Sequence, residues 1–273
     1  MSITASVRNL ASRAFPTVDA PAGIRPNVAP PTVAAPTVAA PDAGVVTPVE
    51  LLPQLSELAE LSRSFESAPA SSVIKWASER FGDRLVLAAS FQDCVLIDLV
   101  AKTAPGTEVV FLDTQYHFAE THWYVERVRE RYDLNLKIME PLIAPDDLWQ
   151  TDPDECCAMR KVEPLARALV GKQAWMTGLR RVETAARVHA PILHLDVGRG
   201  IVKVNPLAPW TDDDIAGYKR DHELLEHPLA SQGYPSIGCW PCTRSVHEGD
   251  NPRAGRWAGR GKDECGLHGW PEP

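Results

Sequence analysis

Long apolar runs are missing from this sequence, which argues against a membrane-embedded protein. No run reaches the roughly 18 to 20 residues that a transmembrane helix needs. The first residues, "MSITASVRNLASRAF", contain Arg8 and Arg13 but no unbroken apolar core, so they do not fit a secretory signal. A transit-like peptide remains an alternative for this stretch. We therefore expect a cytoplasmic protein with no membrane contact.

Positive charge and cysteine are also scarce. With 28 basic and 36 acidic side chains the net charge is −8, so no general basic field is available to gather nucleic acid. An anionic substrate would need a local basic patch. The chain has only six cysteines, counted from 156–157, 239, 242, 265 and 94. Without an export signal, they indicate metal or redox chemistry rather than structural disulfides.

The beginning of the chain differs in composition from the rest. Residues 1–53 repeat Ala, Val and Pro, with few charges and no periodicity. This composition predicts a disordered, partly polyproline-like leader. Folded sequence is expected to begin near Gln54, with an α/β domain over 54–230. Residues 231–273 are rich in Gly, Pro, Cys and Arg, and we expect them to form an irregular C-terminal segment of the same domain.

Strand and helix patterns alternate along the α/β domain. Short apolar runs predict strands at 84–90, 108–114, 135–140, 173–178 and 200–207. Helical spacing of apolar residues covers 54–67, 71–81, 93–104, 117–132, 156–170 and 211–223. Ser71 or Ser72 and Thr211 are expected N-caps, and Pro164 should bend its helix or mark a first turn. The alternation predicts an α/β fold with a mostly parallel sheet flanked by helices.

Polar side chains follow three of the predicted strands. In such sheets, ligands bind beyond the carboxyl ends of the strands. The residues at these ends are Ser90, Gln92, Asp113, Thr114, Thr177, Gly178, Arg180, Arg181 and Arg187. Each one alone could be an ordinary loop residue. Because hydroxyl and guanidinium groups recur at three strand ends, we expect a site for phosphate or sulfate there.

Four cysteines form two close pairs, Cys156 with Cys157 and Cys239 with Cys242. Four thiolates suit tetrahedral zinc or an iron–sulfur cluster. Adjacent side chains diverge, which is awkward for one metal ion and easier for a cluster with several irons. The spacing therefore favours one [4Fe–4S] cluster per chain, with zinc or a redox disulfide between Cys239 and Cys242 as alternatives. Cys94 lies in an apolar helical pattern and is expected in the core.

Cys265 stands apart from these pairs, in "GRWAGRGKDECGLHGW". Basic side chains surround it in the sequence: Arg253, Arg256, Arg260, Lys262 and His268. Positive neighbours lower the pKa of a thiol and make it a nucleophile. The alternative is a surface thiol on a frayed end. The density of basic residues and the flanking glycines favour a nucleophile on a mobile segment.

Several of these motifs together resemble a known family. The set "CCAMRK", "TGLRR", "YPSIGCWPCT" and "GRWAGRGKDECGLH" is similar to the assimilatory sulfonucleotide reductases, and within them to the iron–sulfur branch that reduces adenylyl sulfate (APS). The resemblance covers about residues 54–270. "SFQDCVLIDL" and "FLDTQYHFAET" resemble the nucleotide-binding half, which implies a fold like the adenine-nucleotide alpha hydrolases and ATP pyrophosphatases. Where many relatives have a small Gly- or Ala-containing loop, this chain reads Ala88-Ala89-Ser90-Phe91-Gln92-Asp93.

The resemblance implies an activity: APS and reduced thioredoxin give sulfite, AMP and oxidised thioredoxin, in sulfate assimilation and cysteine biosynthesis. Cys265 would form an S-sulfocysteine, and the cluster would have a structural and electrostatic role. Because relatives that reduce the 3′-phosphorylated nucleotide PAPS lack the four cluster cysteines, APS is the implied main substrate. Many relatives are oligomers, so a homo-oligomer is a further expectation.

The resemblance also implies roles for the basic residues. Lys161, Arg253, Arg256 and His268 would neutralise the sulfate and the departing phosphate, and Lys161 would lie one helical turn from Cys157. Arg180, Arg181 and Arg187 would hold the nucleotide phosphate, and the strand-end residues would seat the adenosine. Alternatives are a PAPS or dual-substrate reductase, a non-catalytic zinc-binding interaction protein, and an ATP pyrophosphatase.

Overall fold

The computed structural model describes residues 48–268, with side chains described from residue 55 onward. The predicted leader therefore lies outside the described residues, except for 48–53. These belong to the first helix, α1 (Pro48–Ser64), so regular structure begins ahead of the expected start near Gln54. None of the helices in this part of the chain is both long and apolar enough to cross a membrane.

The fold is built on one six-stranded sheet. Its strands are β1 (Leu85–Ala89), β2 (Glu108–Leu112), β3 (Leu136–Met139), β4 (Ala174–Thr177), β5 (Leu193–Asp196) and β6 (Ile201–Val204). They are ordered β3-β2-β1-β4-β6-β5, and every neighbouring pair is parallel except β5 with β6. The predicted α/β fold with a mostly parallel sheet is confirmed. Strand β5 was not predicted, and it forms a hairpin with β6.

The remaining helices mostly match the predicted patterns. They are α2 (Ala70–Phe81), α3 (Val95–Thr103), α4 (Ala119–Tyr132), α5 (Leu148–Thr151), α6 (Pro153–Cys157), α7 (Glu163–Ala168) and α8 (Asp212–Asp221). The expected serine cap of α2 is wrong, because the helix starts after Pro69 without a side-chain cap. The Thr211 cap is confirmed: its hydroxyl accepts a hydrogen bond from the Asp214 amide at 3.1 Å.

The predicted helix over 156–170 is divided into three parts. α6 ends at Cys157, a wider π-helical turn follows over Ala158–Val162, and α7 then begins with Pro164 in its first turn. The amide of Glu163, the first residue of α7, still donates to the carbonyl of Ala158, so the helical path continues through the π turn and Pro164 is the residue that lacks a donor. Pro164 was expected either to bend its helix or to lie in a first turn, and it lies in the first turn of α7.

Apolar side chains cover both faces of the sheet. In β1, Leu85 and Leu87 point to a large core beneath α2, α3 and α4, whereas Val86 points to a smaller core with Leu165 of α7 and Trp175 of β4. Burial on both faces explains why the strands read as continuous apolar runs. Cys94, 1% exposed, lies in the larger core as predicted. The carboxyl edge of the sheet is left for the polar strand ends.

Candidate active site

A cavity of about 200 Å³ lies at the carboxyl edge of the sheet, where β1, β2 and β4 end. The C-terminal tail, defined as residues 258–268, contributes part of its wall. Most predicted site residues line this strand-end cavity: Ser90, Gln92, Thr114, Lys161, Thr177, Gly178, Arg180, Arg187, Arg253, Arg256, Cys265 and His268. The fold thus gathers polar strand ends, basic side chains and one thiol from distant parts of the sequence.

Two of the predicted substrate-binding residues, Arg181 and Asp113, do not line the cavity. The Arg181 guanidinium donates to both carboxylate oxygens of Glu66, at 2.8 and 2.6 Å, and to the carbonyl of Ala190 at 2.8 Å. It therefore ties its loop to the region after α1, and the expected phosphate contact of Arg181 is not supported. Asp113 accepts a hydrogen bond from the amide of Gln115 at 2.8 Å, which shapes the turn after β2.

The loop after β1 takes a tight shape without a glycine. Phe91 has a positive φ of 54°, a conformation that costs a non-glycine residue about 1–2 kcal/mol. Its ring is buried against Phe111 at 5.3 Å, and burying a phenyl group stabilises by about 1.5–3 kcal/mol, which offsets the strain. The amide oxygen of Gln92 accepts from the Ile237 amide at 3.0 Å, so Gln92 also links this loop to the C-terminal segment.

Arg180 and Arg187 remain candidates for contact with the nucleotide phosphate, and both already pair with carboxylates. Arg180 lies 2.8 Å from Asp212 and 3.7 Å from Glu183. Arg187 is buried, contacts Glu183, and donates to the two oxygens of Glu264 at 2.5 and 2.6 Å. Bidentate pairing of this kind is strong and directional. Arg187 therefore holds the residue next to Cys265.

Two further arginines reach the cavity from the turn before the tail. Arg253 donates to the carbonyl of Asp263 at 3.0 Å, and Arg256 donates to the hydroxyl of Ser236 at 3.2 Å. Burial lowers the pKa of Arg253, and repulsion from Arg256 and Arg187 lowers it further. Guanidinium groups crowded to this degree favour an anion between them.

Ionic contacts dock the tail beside the cavity. Glu264 accepts from the hydroxyl of Thr184 at 2.8 Å in addition to Arg187. Burial alone would raise the pKa of Glu264, but the hydrogen bonds from Arg187 and Thr184 outweigh burial and lower it. Two residues before Glu264, Lys262 pairs with Asp154 at the start of α6. The half-buried Cys265 thus directly follows two contacts that tie the tail to different parts of the fold.

The two cysteine pairs line one small second cavity together: Cys156, Cys157, Cys239 and Cys242. All four are free thiols. Burial and, to a smaller extent, the other three thiols raise the pKa of Cys156 to about 11, so the four groups lie close enough to interact. Within residues 48–268 no set of three or more His, Cys, Asp or Glu side chains is arranged to hold a single metal ion. Four interacting, mostly buried thiols nonetheless suit an iron–sulfur cluster in kind and number.

Local structure explains why the two pairs face each other. Asp152 caps α6 by accepting from the amides of Asp154 at 3.1 Å and Glu155 at 3.0 Å, which fixes the turn that carries Cys156 and Cys157. Opposite, the Trp240 amide donates to the carbonyl of Tyr116 at 2.8 Å and holds the second pair against the end of β2. The hydroxyl of Thr114, expected on the substrate, lies 3.2 Å from the sulfur of Cys239.

Lys161 lines both cavities, as do Thr114 and Trp257, and it is the cation among these three shared residues. Burial would lower the pKa of Lys161, but the thiol groups of Cys239, Cys265 and Cys157 outweigh burial and raise it. The ammonium form is therefore favoured beside both the cysteine pairs and the tail thiol. This placement agrees with the expectation that Lys161 reaches from the cysteines toward a substrate.

His268 differs from its expected role as a cation. Its ring stacks on Trp175, with centroids 6.0 Å apart and planes at 13°. Burial lowers the pKa of His268 well below the usual value, and Lys203, Arg187 and other cations lower it further. The imidazole is neutral at pH 7, so positive charge around the thiol comes from lysine and arginine instead.

Sequence reasoning missed several residues of this site. Glu264 belongs to the motif around Cys265, but its pairing with a strand-end arginine cannot be read from spacing. Lys203 and Trp175 lie within predicted strands, where no functional role is expected. A charged residue inside the apolar run "GIVKVNPL" was the available signal for Lys203, since lysine is seldom buried without a partner.

Comparisons with known proteins agree with this geometry. The family model "Phosphoadenosine phosphosulfate reductase domain" matches residues 84–245. The protein named adenosine 5′-phosphosulfate reductase from Streptomyces coelicolor is 46% identical over 225 residues, which cover 79% of this chain and 95% of that protein. The protein of the same name from Mycobacterium tuberculosis is 42% identical over 242 residues, with coverage of 79% and 95%.

Solved structures show the same architecture. The phosphoadenylyl-sulfate (PAPS) reductase of Candida auris, in a phosphate complex, has a TM-score of 0.61 at 26% identity, covering 70% of this chain and 97% of that one. The FMN adenylyltransferase of Candida glabrata has a TM-score of 0.50 at 14% identity, covering 72% and 79%. At that identity the second likeness shows the fold alone.

The sheet, its strand-end cavity and these neighbours define an enzyme fold of the adenine-nucleotide alpha hydrolase type. The chain belongs to the phosphoadenosine phosphosulfate reductase domain family, and its curated relatives with more than two-fifths identity are named as APS reductases. The predicted resemblance to the sulfonucleotide reductases is confirmed.

Proposed function

We propose that this protein reduces APS to sulfite and AMP, with thioredoxin as the electron donor. The observation that carries the proposal is the position of Cys265. Its thiol lines the same cavity as the ends of β1, β2 and β4, and Lys161 lines both that cavity and the one formed by the four candidate cluster cysteines. The names of the curated relatives support APS as the substrate.

The nucleotide would bind with its adenosine at the strand ends and its sulfate toward Lys161, Arg253 and Arg256. These cations would neutralise the sulfate and the charge that develops on the departing phosphate. The Cys265 thiolate attacks the sulfur atom as the bond between that sulfur and the bridging phosphate oxygen breaks. AMP leaves with the electron pair of that bond, and an S-sulfocysteine remains on the enzyme.

Thioredoxin then supplies two electrons. One thiolate of thioredoxin attacks the Sγ atom of Cys265 and expels sulfite, which leaves a mixed disulfide. The second thioredoxin thiol resolves this disulfide, so thioredoxin is oxidised and the Cys265 thiol is restored. The tail must open for this step, and glycines with positive φ at 259, 261 and 266 make that motion inexpensive.

Cys156, Cys157, Cys239 and Cys242 would hold one [4Fe–4S] cluster per chain. When bound, the cluster supplies a fixed structural link and a local charge rather than electrons, because dithiol exchange already balances the reaction. The free thiols fit a reducing compartment such as the cytoplasm, and sulfate assimilation leading to cysteine is the pathway we propose. A homo-oligomer stays a prediction.

Replacing the nucleophile tests the covalent step. We expect Cys265→Ser to abolish sulfite release from APS and thioredoxin under anaerobic conditions, by at least about a thousandfold, because a hydroxyl is a far weaker nucleophile than a thiolate. Binding of AMP should stay within about twofold. Mass spectrometry of the wild-type protein with APS alone should show an added sulfite group on the peptide that contains Cys265.

Cys94→Ala is the matched control, because Cys94 is a buried thiol of the core and should leave turnover largely intact. Sulfite release by Cys265→Ser at the wild-type rate would sink the covalent mechanism. The second candidate function is PAPS reduction, which the name of the Candida auris structure supports. Faster turnover of PAPS than of APS would favour it. A metal content of about one zinc and no iron per chain would instead favour a non-catalytic zinc-binding interaction protein.

A further inference from the structure

One lysine of the sheet is buried beside the tail. Lys203 lies on β6 with 1% of its surface exposed, and its neighbours across the sheet are Trp175 on β4 and His194 on β5. Burying an ammonium group costs several kcal/mol unless partners compensate. The contacts of Lys203 therefore indicate what its position stabilises.

Those contacts lead to the tail. The Nζ atom of Lys203 lies 3.0 Å from Nδ1 of His268. An ammonium group can only donate, so Nδ1 accepts and the ring proton lies on Nε2. The same Nζ atom is 4.6 Å from the centroid of Trp175, on which the imidazole stacks. Lys203 and Trp175 together form the surface against which the His268 ring packs.

The imidazole in turn lies three residues after Cys265 in the tail. On the other side of the thiol, Glu264 is held by Arg187. We propose that Lys203 is a positioning residue, which seats the Cys265 thiol in the strand-end cavity by holding the ring of His268. This inference rests on the proposed role of Cys265 as the nucleophile.

Charged groups from neighbouring elements face Lys203. Burial lowers the pKa of Lys203, Arg199 and Arg187 act in the same direction, and Asp196 and Glu264 oppose them; together they bring the pKa to about 7. Close to neutral pH a substantial fraction remains protonated. The ammonium form can then donate to the neutral imidazole.

Access to Cys265 measures whether the tail is seated. The full chain carrying its cluster is treated with iodoacetamide in the absence of nucleotide, and alkylation is followed on the tryptic peptide of residues 263–273. Rates are compared at pH 6.5, below the pKa of Lys203, where its ammonium form predominates. Each rate is divided by the thiolate fraction of that variant, taken from its own pH–rate profile, so that a change of thiol pKa does not contribute. We expect Lys203→Met to raise this corrected rate about tenfold, because a charge-assisted hydrogen bond is lost.

Lys172→Met is the matched control, since it removes a lysine that bonds Glu108 at 3.2 Å and the Asp83 carbonyl at 2.9 Å. Its corrected rate at pH 6.5 should equal that of the wild type. An unchanged rate in a folded Lys203→Met variant, or the same acceleration in the control, would overturn the proposal.

A double-mutant cycle tests the path through His268. If Lys203 acts through this ring, His268→Ala should accelerate alkylation to a similar degree, and adding Lys203→Met should give no further increase. If the rate increases of the two single variants multiply in the double variant, Lys203 acts independently of the His268 ring, which contradicts the proposal.

Two milder variants serve if Lys203→Met does not fold. The amide oxygen of His268→Asn can replace the Nδ1 acceptor, whereas that of His268→Gln lies nearer the Nε2 position. We expect the Asn variant to stay within about twofold of wild type and the Gln variant to react faster. Equal rates in the two would refute the contact. Because alkylation needs no turnover, these results are separable from a failure of the proposed reaction.

Discussion

Single residues control the shape of the strand-end cavity through the backbone. Phe91 shows that a left-handed position can be filled without glycine when the side chain gains enough burial. Gly238 shows the opposite case. A methyl group at its Cα would lie 2.5 Å from Nη2 of Arg256 and 2.7 Å from its Cζ, so the absence of a side chain makes room for the guanidinium.

Gly238→Ala should therefore displace Arg256 from the proposed sulfate site. We expect the KM for APS to rise about tenfold, with a smaller change in kcat, because one cation contact to the bound anion is weakened. Steady-state sulfite release at several APS concentrations measures both constants.

Gly217→Ala is the control at the same scale. Its new methyl group would meet only Nη2 of Arg220, at 3.7 Å, in helix α8. This variant should keep the wild-type KM and gain up to about 1 kcal/mol in stability from its better helix propensity. An unchanged KM in Gly238→Ala would show that Arg256 does not need its present position.

At the scale of elements, the junction of α6, the π-helical turn and α7 determines where the first cysteine pair lies. The cap from Asp152 starts α6, the wider turn redirects the chain, and Lys161 follows within that turn. An uninterrupted helix would place these side chains differently, since a π turn inserts one extra residue. π-helical turns often occur at functional sites for this reason.

Removing the cap should loosen the candidate cluster site. Asp152→Ala deletes the acceptor for two amides, a change worth about 0.5–2 kcal/mol of helix stability. We expect faster loss of iron to a chelator, by roughly threefold to tenfold, measured from the decay of visible absorption.

Asp147→Ala provides a closely matched comparison. Asp147 precedes the neighbouring helix α5, but its side chain caps no amide. Iron loss should therefore match the wild type in this variant. Equal rates for Asp152→Ala and wild type would mean that the cap does not hold the cysteine pair in place.

At the scale of the molecule, a buried carboxylate joins three helices on one face of the sheet. Asp98 of α3 accepts from the hydroxyls of Tyr132 at 3.0 Å and Tyr218 at 2.6 Å, and pairs with Lys102 at 2.7 Å. Burial would raise the pKa of Asp98, but Lys102, Tyr218 and Tyr132 outweigh burial and lower it. The ionised carboxylate therefore stabilises the folded state.

Asp98→Asn should reduce the free energy of unfolding at pH 7 by about 1–3 kcal/mol, because charged hydrogen bonds are lost. A lowered pKa in the folded state means that this stability is present above the ordinary value of 3.8 and is lost as the pH falls through the folded pKa. The difference between wild type and variant should therefore shrink below about pH 4, as urea unfolding would measure.

Asp221→Asn is the surface control, because Asp221 and its partner Arg220 are both exposed. It should change stability by less than roughly 0.5 kcal/mol at any pH. A gap between wild type and Asp98→Asn that stays constant down to pH 3 would contradict the linkage.

The amino-acid order alone determined the fold class and the identity of most candidate site residues. The length and spacing of the apolar runs predicted five of the six strands in the described part of the chain. Parallel strands are buried on both faces, so each one is a continuous apolar run in the sequence. β5 was not predicted because its alternation, Leu193-His194-Leu195-Asp196, extends over only four residues, the shortest run that indicates a strand. The cysteine pairs and the Cys265 motif were visible because such chemistry needs rare residue types at short spacings.

Only the tertiary structure decided which charges meet. Arg181 pairs with Glu66, Arg187 pairs with Glu264, and the imidazole of His268 contacts Lys203. All three side chains were expected to contact the substrate. Such pairings depend on distances between segments far apart in the chain, and on burial, which sets the charge state of His268. Sequence spacing carries neither quantity, so partners and protonation could be read only once the chain was folded.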